Sequence, residues 1–186
     1  MRFILRHKCA FACTWLLLFL CTHQDALGAR NEAEEYQAKA ALLFNFAKLS
    51  SWPPEAFSKN DSTFVFAILG PNPFGSALEL IRGKSMHGRP IEIRSYKNVD
   101  EFRPCQVLFS SPDSLNKLRQ VHPTLVETGH VLTVGQADKF AREGGILHLT
   151  FEDDHLAFIV NLGSARRAQI EISASLLNLA LEVIGN

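Results

Sequence analysis

Apolar positions along this chain follow two rhythms, one helical and one extended, and the two alternate. Asn31 with Glu34 three residues later reads as a helix start, and Glu35 and Lys39 stand at i,i+4 spacing for an ion pair. Ala38, Ala41, Leu42, Phe46 and Leu49 then fall on one helical face. This helix is expected to end at Trp52-Pro53-Pro54, because proline drives the residue before it out of helical geometry. Thr63 to Leu69 changes the rhythm: it is apolar on both alternating faces, as in a strand covered on both sides within a parallel sheet, and Gly70 stops it.

Short β-branched or apolar runs recur at Ile91 to Ile93, Val107 to Phe109 and Val131 to Val134. Helical patterns fill the intervals at Phe74 to Ile81, Ser114 to Val121 and Ala137 to Arg142. Such alternation predicts βαβ crossovers and a doubly wound α/β sheet flanked by helices. Ile146 to Phe151 and His155 to Asn161 are separated only by Glu152-Asp153-Asp154, too short for a parallel crossover. They are expected to form an antiparallel hairpin near the carboxyl end, which makes the mostly parallel sheet mixed. Ser173 to Ile184 reads as a last helix, with Gly185 as its cap. Leu176, Leu177, Ala180 and Ile184 share one face, while Leu179, Leu181 and Val183 carry apolar surface around the rest. A helix apolar over most of its circumference is either buried on several sides or part of an interface, which marks Leu179 and Val183 as candidate interface residues.

The amino end has a different organisation. Arg2, Arg6 and Lys8 precede an apolar stretch from Phe11 to Cys21, and the small residues Ala26, Gly28 and Ala29 follow. A bilayer-spanning helix needs about 20 apolar residues, so residues 1–29 read as a cleaved signal peptide and residues 30–186 as one exported domain. An uncleaved anchor and a lipoprotein processed at Cys21 are the alternatives, the second matching poorly because bulky Leu20 precedes the cysteine.

Composition narrows the partner classes. The chain has 186 residues, with Lys+Arg and Asp+Glu both at 19 and a formal charge of zero. The basic field of a nucleic-acid binder is missing, and cleavage makes the remainder slightly acidic, since Arg2, Arg6 and Lys8 leave with only Asp25. Cys9, Cys13 and Cys21 leave too, so Cys105 is the lone mature thiol and has no intrachain partner. Beside Val107-Leu108-Phe109 it reads as a small buried hydrophobe, with catalytic or intermolecular use as the sharper alternative.

Candidate chemistry is sparse. His87, His122, His130, His148 and His155 show no pair at metal-ligand spacing, and Glu152-Asp153-Asp154 lacks the rest of a calcium loop. Nucleophile-elbow, P-loop and dinucleotide signatures are absent, so no catalytic residue, metal or cofactor is assigned and an enzyme is disfavoured. Gly70-Pro71-Asn72-Pro73-Phe74-Gly75 follows a buried strand and opens a helical pattern, the place where open α/β sheets bind ligands. Gly70, Asn72, Phe74 and Gly75 are therefore either a small-molecule loop or a rigid turn. Arg166 and Arg167, after the last hairpin strand, either contact an anion or acidic partner or form a solvated helix face.

A resemblance spans nearly all of the chain after the leader. Lys39-Ala40-Ala41-Leu42-Leu43-Phe44-Asn45-Phe46-Ala47-Lys48 followed by Trp52-Pro53 resembles the opening motif of the YfiR family of exported bacterial proteins. The similarity continues through Leu69-Gly70 with Asn72-Pro73-Phe74-Gly75, Gly88-Arg89-Pro90-Ile91, Cys105-Gln106-Val107-Leu108-Phe109, Gly144-Gly145-Ile146, Phe158-Ile159-Val160-Asn161-Leu162 and Ala165-Arg166-Arg167. The resemblance implies a periplasmic regulator that binds an inner-membrane diguanylate cyclase, or another signalling membrane protein, and holds it inactive, lowering cyclic di-GMP output and biofilm formation. It implies protein–protein inhibition; the expected carboxyl-terminal helix, apolar around most of its circumference, would serve either that contact or a homodimer. Family members can carry paired cysteines; Cys105 matches such a position without a partner, which puts redox control by an internal bridge in doubt. The reading of a different class is a periplasmic small-molecule-binding domain that uses the Gly70 to Gly75 loop.

Export is directly testable. Amino-terminal sequencing of the protein from its host's envelope is expected to begin near Ala29 or Arg30; intact Met1 in membranes, or a lipidated Cys21, contradicts a cleaved leader.

Overall fold

The computed structural model describes residues 34–57, 63–110, 112–123, 129–153 and 155–185. The expected signal peptide and the helix start at Asn31 lie outside them. Helix α1 (34–48) leads into a two-residue strand β1 (Ser50–Ser51). Strands β2 (Phe64–Leu69), β3 (Ser85–Met86), β4 (Arg89–Tyr96) and β5 (Val107–Ser110) precede helix α2 (Pro112–Val121). Strands β6 (Leu132–Gly135), β7 (Leu147–Glu152) and β8 (His155–Asn161) lead to the short helix α3 (Leu162–Arg167). The chain finishes with β9 (Glu171–Ile172), the single turn α4 (Ala174–Leu177) and β10 (Glu182–Ile184).

Among the described residues, eight strands form one sheet in the order β10-β8-β7-β6-β5-β2-β4-β3. Its centre is parallel from β4 through β2, β5 and β6 to β7, as the strand–helix alternation predicts. The β7–β8 hairpin is antiparallel, with Leu147 opposite Val160 and Glu152 opposite His155. Numbered by their own succession, β4, β2, β5, β6 and β7 run 2-1-3-4-5, an order known among doubly wound sheets. β1 and β9 pair antiparallel in a separate ribbon, which staples the end of α1 to the chain after α3.

All six residues of β2 are buried, and they divide the interior by parity. Phe64, Phe66 and Ile68 face a core shared with Leu43 and Phe46 of α1, whereas Val65, Ala67 and Leu69 face Leu115 and Leu118 of α2. Burying a side chain of this size contributes about 1.5–3 kcal/mol, which is why a continuous apolar strand belongs in the middle. Gln106 secures its entry: the buried side-chain Oε1 accepts from Val65 N at 2.8 Å, and Nε2 donates to Ala56 O at 2.8 Å.

Several expected elements differ in the structure. The buried face of α1 is Lys39, Ala40, Leu43, Phe46 and Ala47; of the expected stripe only Phe46 is buried, while Ala38 and Ala41 are exposed. The phase shifts because Lys39 is buried, paired with Glu35 and lying over the rings of Tyr36 and Phe151. The helix expected at Phe74 to Ile81 is a turn followed by a 3-10 segment, Leu78–Ile81. Its two ends, Leu78 and Ile81, lie three apart, where a 3-10 helix eclipses side chains, and both are buried. Residues 138–144 make turns instead of a helix, with Lys139 at φ +66° and Gly144 at φ +97°, both incompatible with helical continuation. Phe140 lies against Gly135 and Gly145, where an added Cβ would collide with its ring.

The carboxyl-terminal correction is the largest. The helix capped by the Ser173 side chain stops at Leu177, and Leu179 and Val183 do not share a helix. Val183 sits in β10, paired in parallel with Val160 of β8. Leu179, Leu181 and Val183 alternate with period two, and hydrogen bonding to the free edge of β8 outweighs helix propensity. Leu181 N donates to Phe158 O at 2.9 Å, and Arg142 grips Glu182 with two hydrogen bonds of 2.9 and 2.8 Å.

Asn161 joins these parts. Its Oδ1 accepts from Ser164 N at 2.9 Å as the cap of α3, and its Nδ2 donates to Ala141 O at 2.7 Å. Gly185, at φ +73°, packs so closely that a Cβ there would lie 2.7 Å from Asn161 Oδ1. Asn161→Ala removes a helix cap and orphans a buried carbonyl, so urea denaturation is expected to show a loss of about 2–4 kcal/mol. Asn161→Asp keeps the cap acceptor but turns a carboxylate oxygen toward the buried Ala141 carbonyl, and is expected to cost at least as much.

Candidate functional site

The four groups of residues marked in the sequence occupy different parts of the fold. The Gly70 to Gly75 loop lies at the carboxyl end of β2, beside the place where the strand order reverses. Its side chains are committed to the chain itself. Phe74 is buried and meets Phe109 and Tyr36 edge-on, with ring centroids 4.7 and 5.7 Å apart. Asn72 Oδ1 accepts from Phe74 N at 2.9 Å, closing an Asx turn. Gly70 and Gly75 take φ +100° and +50°, which only glycine adopts freely, and Gly70 N donates to Tyr96 O at 2.9 Å. These contacts match the rigid-turn reading.

Cys105 is buried against Leu108 and the apolar α2 face. Burial pushes its thiol well above the ordinary cysteine range, because no nearby cation offsets the cost of a buried thiolate, Arg94 acting only weakly. The thiol is therefore held in its unreactive form.

Arg166 and Arg167 point apart, as consecutive residues on a helix do. Arg166 borders a shallow recess with Pro53, Glu55, Gln169 and Glu171. Arg167 lines a different recess of about 340 Å³ with Arg119, Thr133, Glu143, Gly144, Ile146 and Ser164. There Arg167 Nη2 donates to Ser164 Oγ at 2.7 Å, and Ile146 N donates to buried Thr133 Oγ1 at 3.0 Å. Arg119 reaches in from α2 across Gly144, where a Cβ would stand 3.0 Å from its Nη2. Arg119, Thr133 and Ser164 were not marked in the sequence. Four separate segments build this recess, so no local spacing announces it.

A third recess, about 370 Å³, opens at the carboxyl end of β6 and is lined by Lys39, Gln136, Asp138, His148, Thr150 and Phe151 among others. His148 is buried, and burial lowers its pKa; Asp138 and a hydrogen bond donated to the Gln136 backbone oppose this more weakly. Among the described residues no group of three or more His, Cys, Asp or Glu is placed to hold a metal ion. No described helix is long and apolar enough to cross a membrane.

A doubly wound sheet with polar recesses on its flanks and a short strand at one edge places the chain in the α/β class. Residues 36–181 match the YfiR/HmsC-like family, and the chain belongs to it. The family's domain is regulatory rather than catalytic, and its members are periplasmic. No curated protein matches the chain. Among solved structures it is similar to a conserved domain protein from Vibrio cholerae O1 biovar El Tor, at 12% identity and a TM-score of 0.46, covering 70% of this chain. It spans 57% of that protein's chain.

His148 predicts a pH dependence of stability. Its folded pKa lies below the unfolded value of about 6.5, so on acidification the unfolded chain takes the proton first. The stability it contributes is full above about pH 6.5 and is lost as pH falls toward its folded pKa. Denaturation profiles are expected to show a shallower acid decline for His148→Gln than for wild type; identical profiles would remove this role.

Proposed function

We propose that this protein is a periplasmic regulator that binds an inner-membrane diguanylate cyclase, or a related signalling membrane protein, and represses it by direct contact. The family match over residues 36–181 carries this reading. The sheet edge at β10 supports it. There Leu179 is 71% exposed and Leu181 is 44% exposed, beside a strand of three residues whose outer hydrogen-bonding side ends the sheet. Exposed leucines beside an open sheet edge suit docking of a partner segment or of a second copy. The Gly70 to Gly75 loop, with Phe74 inside the core, gives the small-molecule reading less support.

Affinity capture of the protein from envelope extracts, with mass-spectrometric identification, tests the proposal. Recovery of a membrane protein with a cyclase-type domain is the expected outcome. Leu179→Glu should keep the melting temperature within about 2 °C, because a substitution on an exposed turn changes stability little, and should reduce capture at least about tenfold. Val183→Glu, at a half-buried position of β10, should lower stability as well. Failure to recover any signalling membrane protein, or undiminished capture by Leu179→Glu, would count against the reading or against this edge respectively.

A further inference from the structure

Exposed apolar side chains gather at one corner of the sheet. Among the described residues four large hydrophobic side chains are exposed, and three of them, Phe151, Leu179 and Leu181, belong to the β7–β8–β10 edge. Phe151 stands opposite half-buried Leu156 in the hairpin. Leu156 comes two residues before Phe158, whose carbonyl accepts from Leu181 N at 2.9 Å, and Leu179 lies in the turn that leads to it. Direct and diagonal cross-strand neighbours are within reach of one another, so apolar surface runs from β7 across β8 to the start of β10.

The unpaired charges around this surface are acidic. Glu152 and Asp153 are exposed at the hairpin tip, and Asp138 borders the recess of about 370 Å³ that Phe151 shares with Gln136, His148 and Thr150. None of the described ion pairs includes any of these three carboxylates. The nearby cations are committed: Lys39, which lines the recess, pairs with Glu35 and lies 5.4 Å from the Phe151 ring centroid, and Arg142 pairs with Glu182. Lys139, next to Asp138 in the chain, does not line the recess. His155, opposite Glu152, is the one remaining basic group of the tip.

We propose that this corner docks a segment of a partner protein that carries Lys or Arg beside its apolar side chains. The proposal rests on the reading of this protein as a regulator by contact, and it names the chemistry of the segment contacted. Phe151, Leu179 and Leu181 offer apolar area to the partner's apolar side chains, and the carboxylates at 138, 152 and 153 select cations around them. The recess has the size for one lysine or arginine side chain, with Asp138 as its acceptor and the Phe151 ring as its wall. The same acidic rim disfavours the other occupants of an apolar corner. A second copy meeting corner to corner would set Glu152 and Asp153 against carboxylates like themselves, and anionic lipid headgroups would meet them with like charge.

The test places a photo-cross-linking side chain at the corner of the exported protein in its host, as Phe151→p-benzoylphenylalanine. Leu179→p-benzoylphenylalanine serves if the first variant does not fold, and Leu80→p-benzoylphenylalanine, in the 3-10 segment Leu78–Ile81, is the control. Mass spectrometry of the cross-linked peptides reads the segment contacted. The expected adduct, absent from the Leu80 control, is a peptide of another protein with Lys or Arg within about ten residues of the contacted apolar side chain. Neutralising the rim with Glu152→Gln and Asp153→Asn together should lower its yield about fivefold, as the loss of two surface charge contacts implies. An adduct of this chain with itself, a lipid adduct, an acidic or uncharged segment, no adduct at either corner position, or a yield unchanged by neutralisation overturns the proposal. The regulatory reading fails separately: a basic apolar segment from a protein with no signalling role keeps the corner and overturns that reading, whereas a signalling membrane protein cross-linked through an acidic segment does the reverse.

Discussion

Two-sided burial of β2 is the constraint on which the rest of the molecule depends. A strand with no solvated face needs a helical or irregular layer on each side, and successive side chains must serve different layers. Phe64, Phe66 and Ile68 demand α1, and Val65, Ala67 and Leu69 demand α2. Parallel partners on both sides follow, because each neighbouring strand must be reached by a crossover that covers a face. The Gln106 side chain satisfies the Val65 N–H where the ladder begins, so the buried start of β2 leaves no orphaned donor there.

At the other end of the sheet, polar contacts take over from apolar packing. β8 ends in Asn161, and this one buried amide caps α3 and holds the turn that precedes β7. The same turn carries Arg142 to Glu182 of β10 and Glu143 to the arginine recess. Edge strand and recess thus share a support.

The proposed regulation by contact would call for a stable scaffold and an exposed region able to bind. The central strands and the buried Cys105 belong to the scaffold. The β10 edge, with Leu179 and Leu181 exposed, belongs to the surface. The Gly70 to Gly75 loop sits where many doubly wound sheets hold a ligand, with Phe74 buried against Phe109. Two polar recesses lie beside β6 and β7.

Much of the fold was legible because its strands carry their own signal. The runs at 64–69, 107–110 and 155–161 are apolar or alternating over their length, and the three-residue gap before His155 permits only a hairpin. Local pattern failed where burial had an unusual cause. Lys39 enters the core because Glu35 and two aromatic rings accommodate its charge, and that shifts the whole buried face of α1. Leu179, Ala180, Leu181 and Glu182 are good helix formers, but β-branched Val183 and Ile184 favour a strand, and β8 offered backbone groups with which to pair. Arg167 was visible in the chain, but its separation from Arg166 and its meeting with Arg119, Thr133 and Ser164 were not. The sequence by itself determined the central strands, the hairpin and the family resemblance, since these rest on neighbours a few residues apart. Only the tertiary structure decided the edge strand and the recess, because both depend on groups brought together from distant segments.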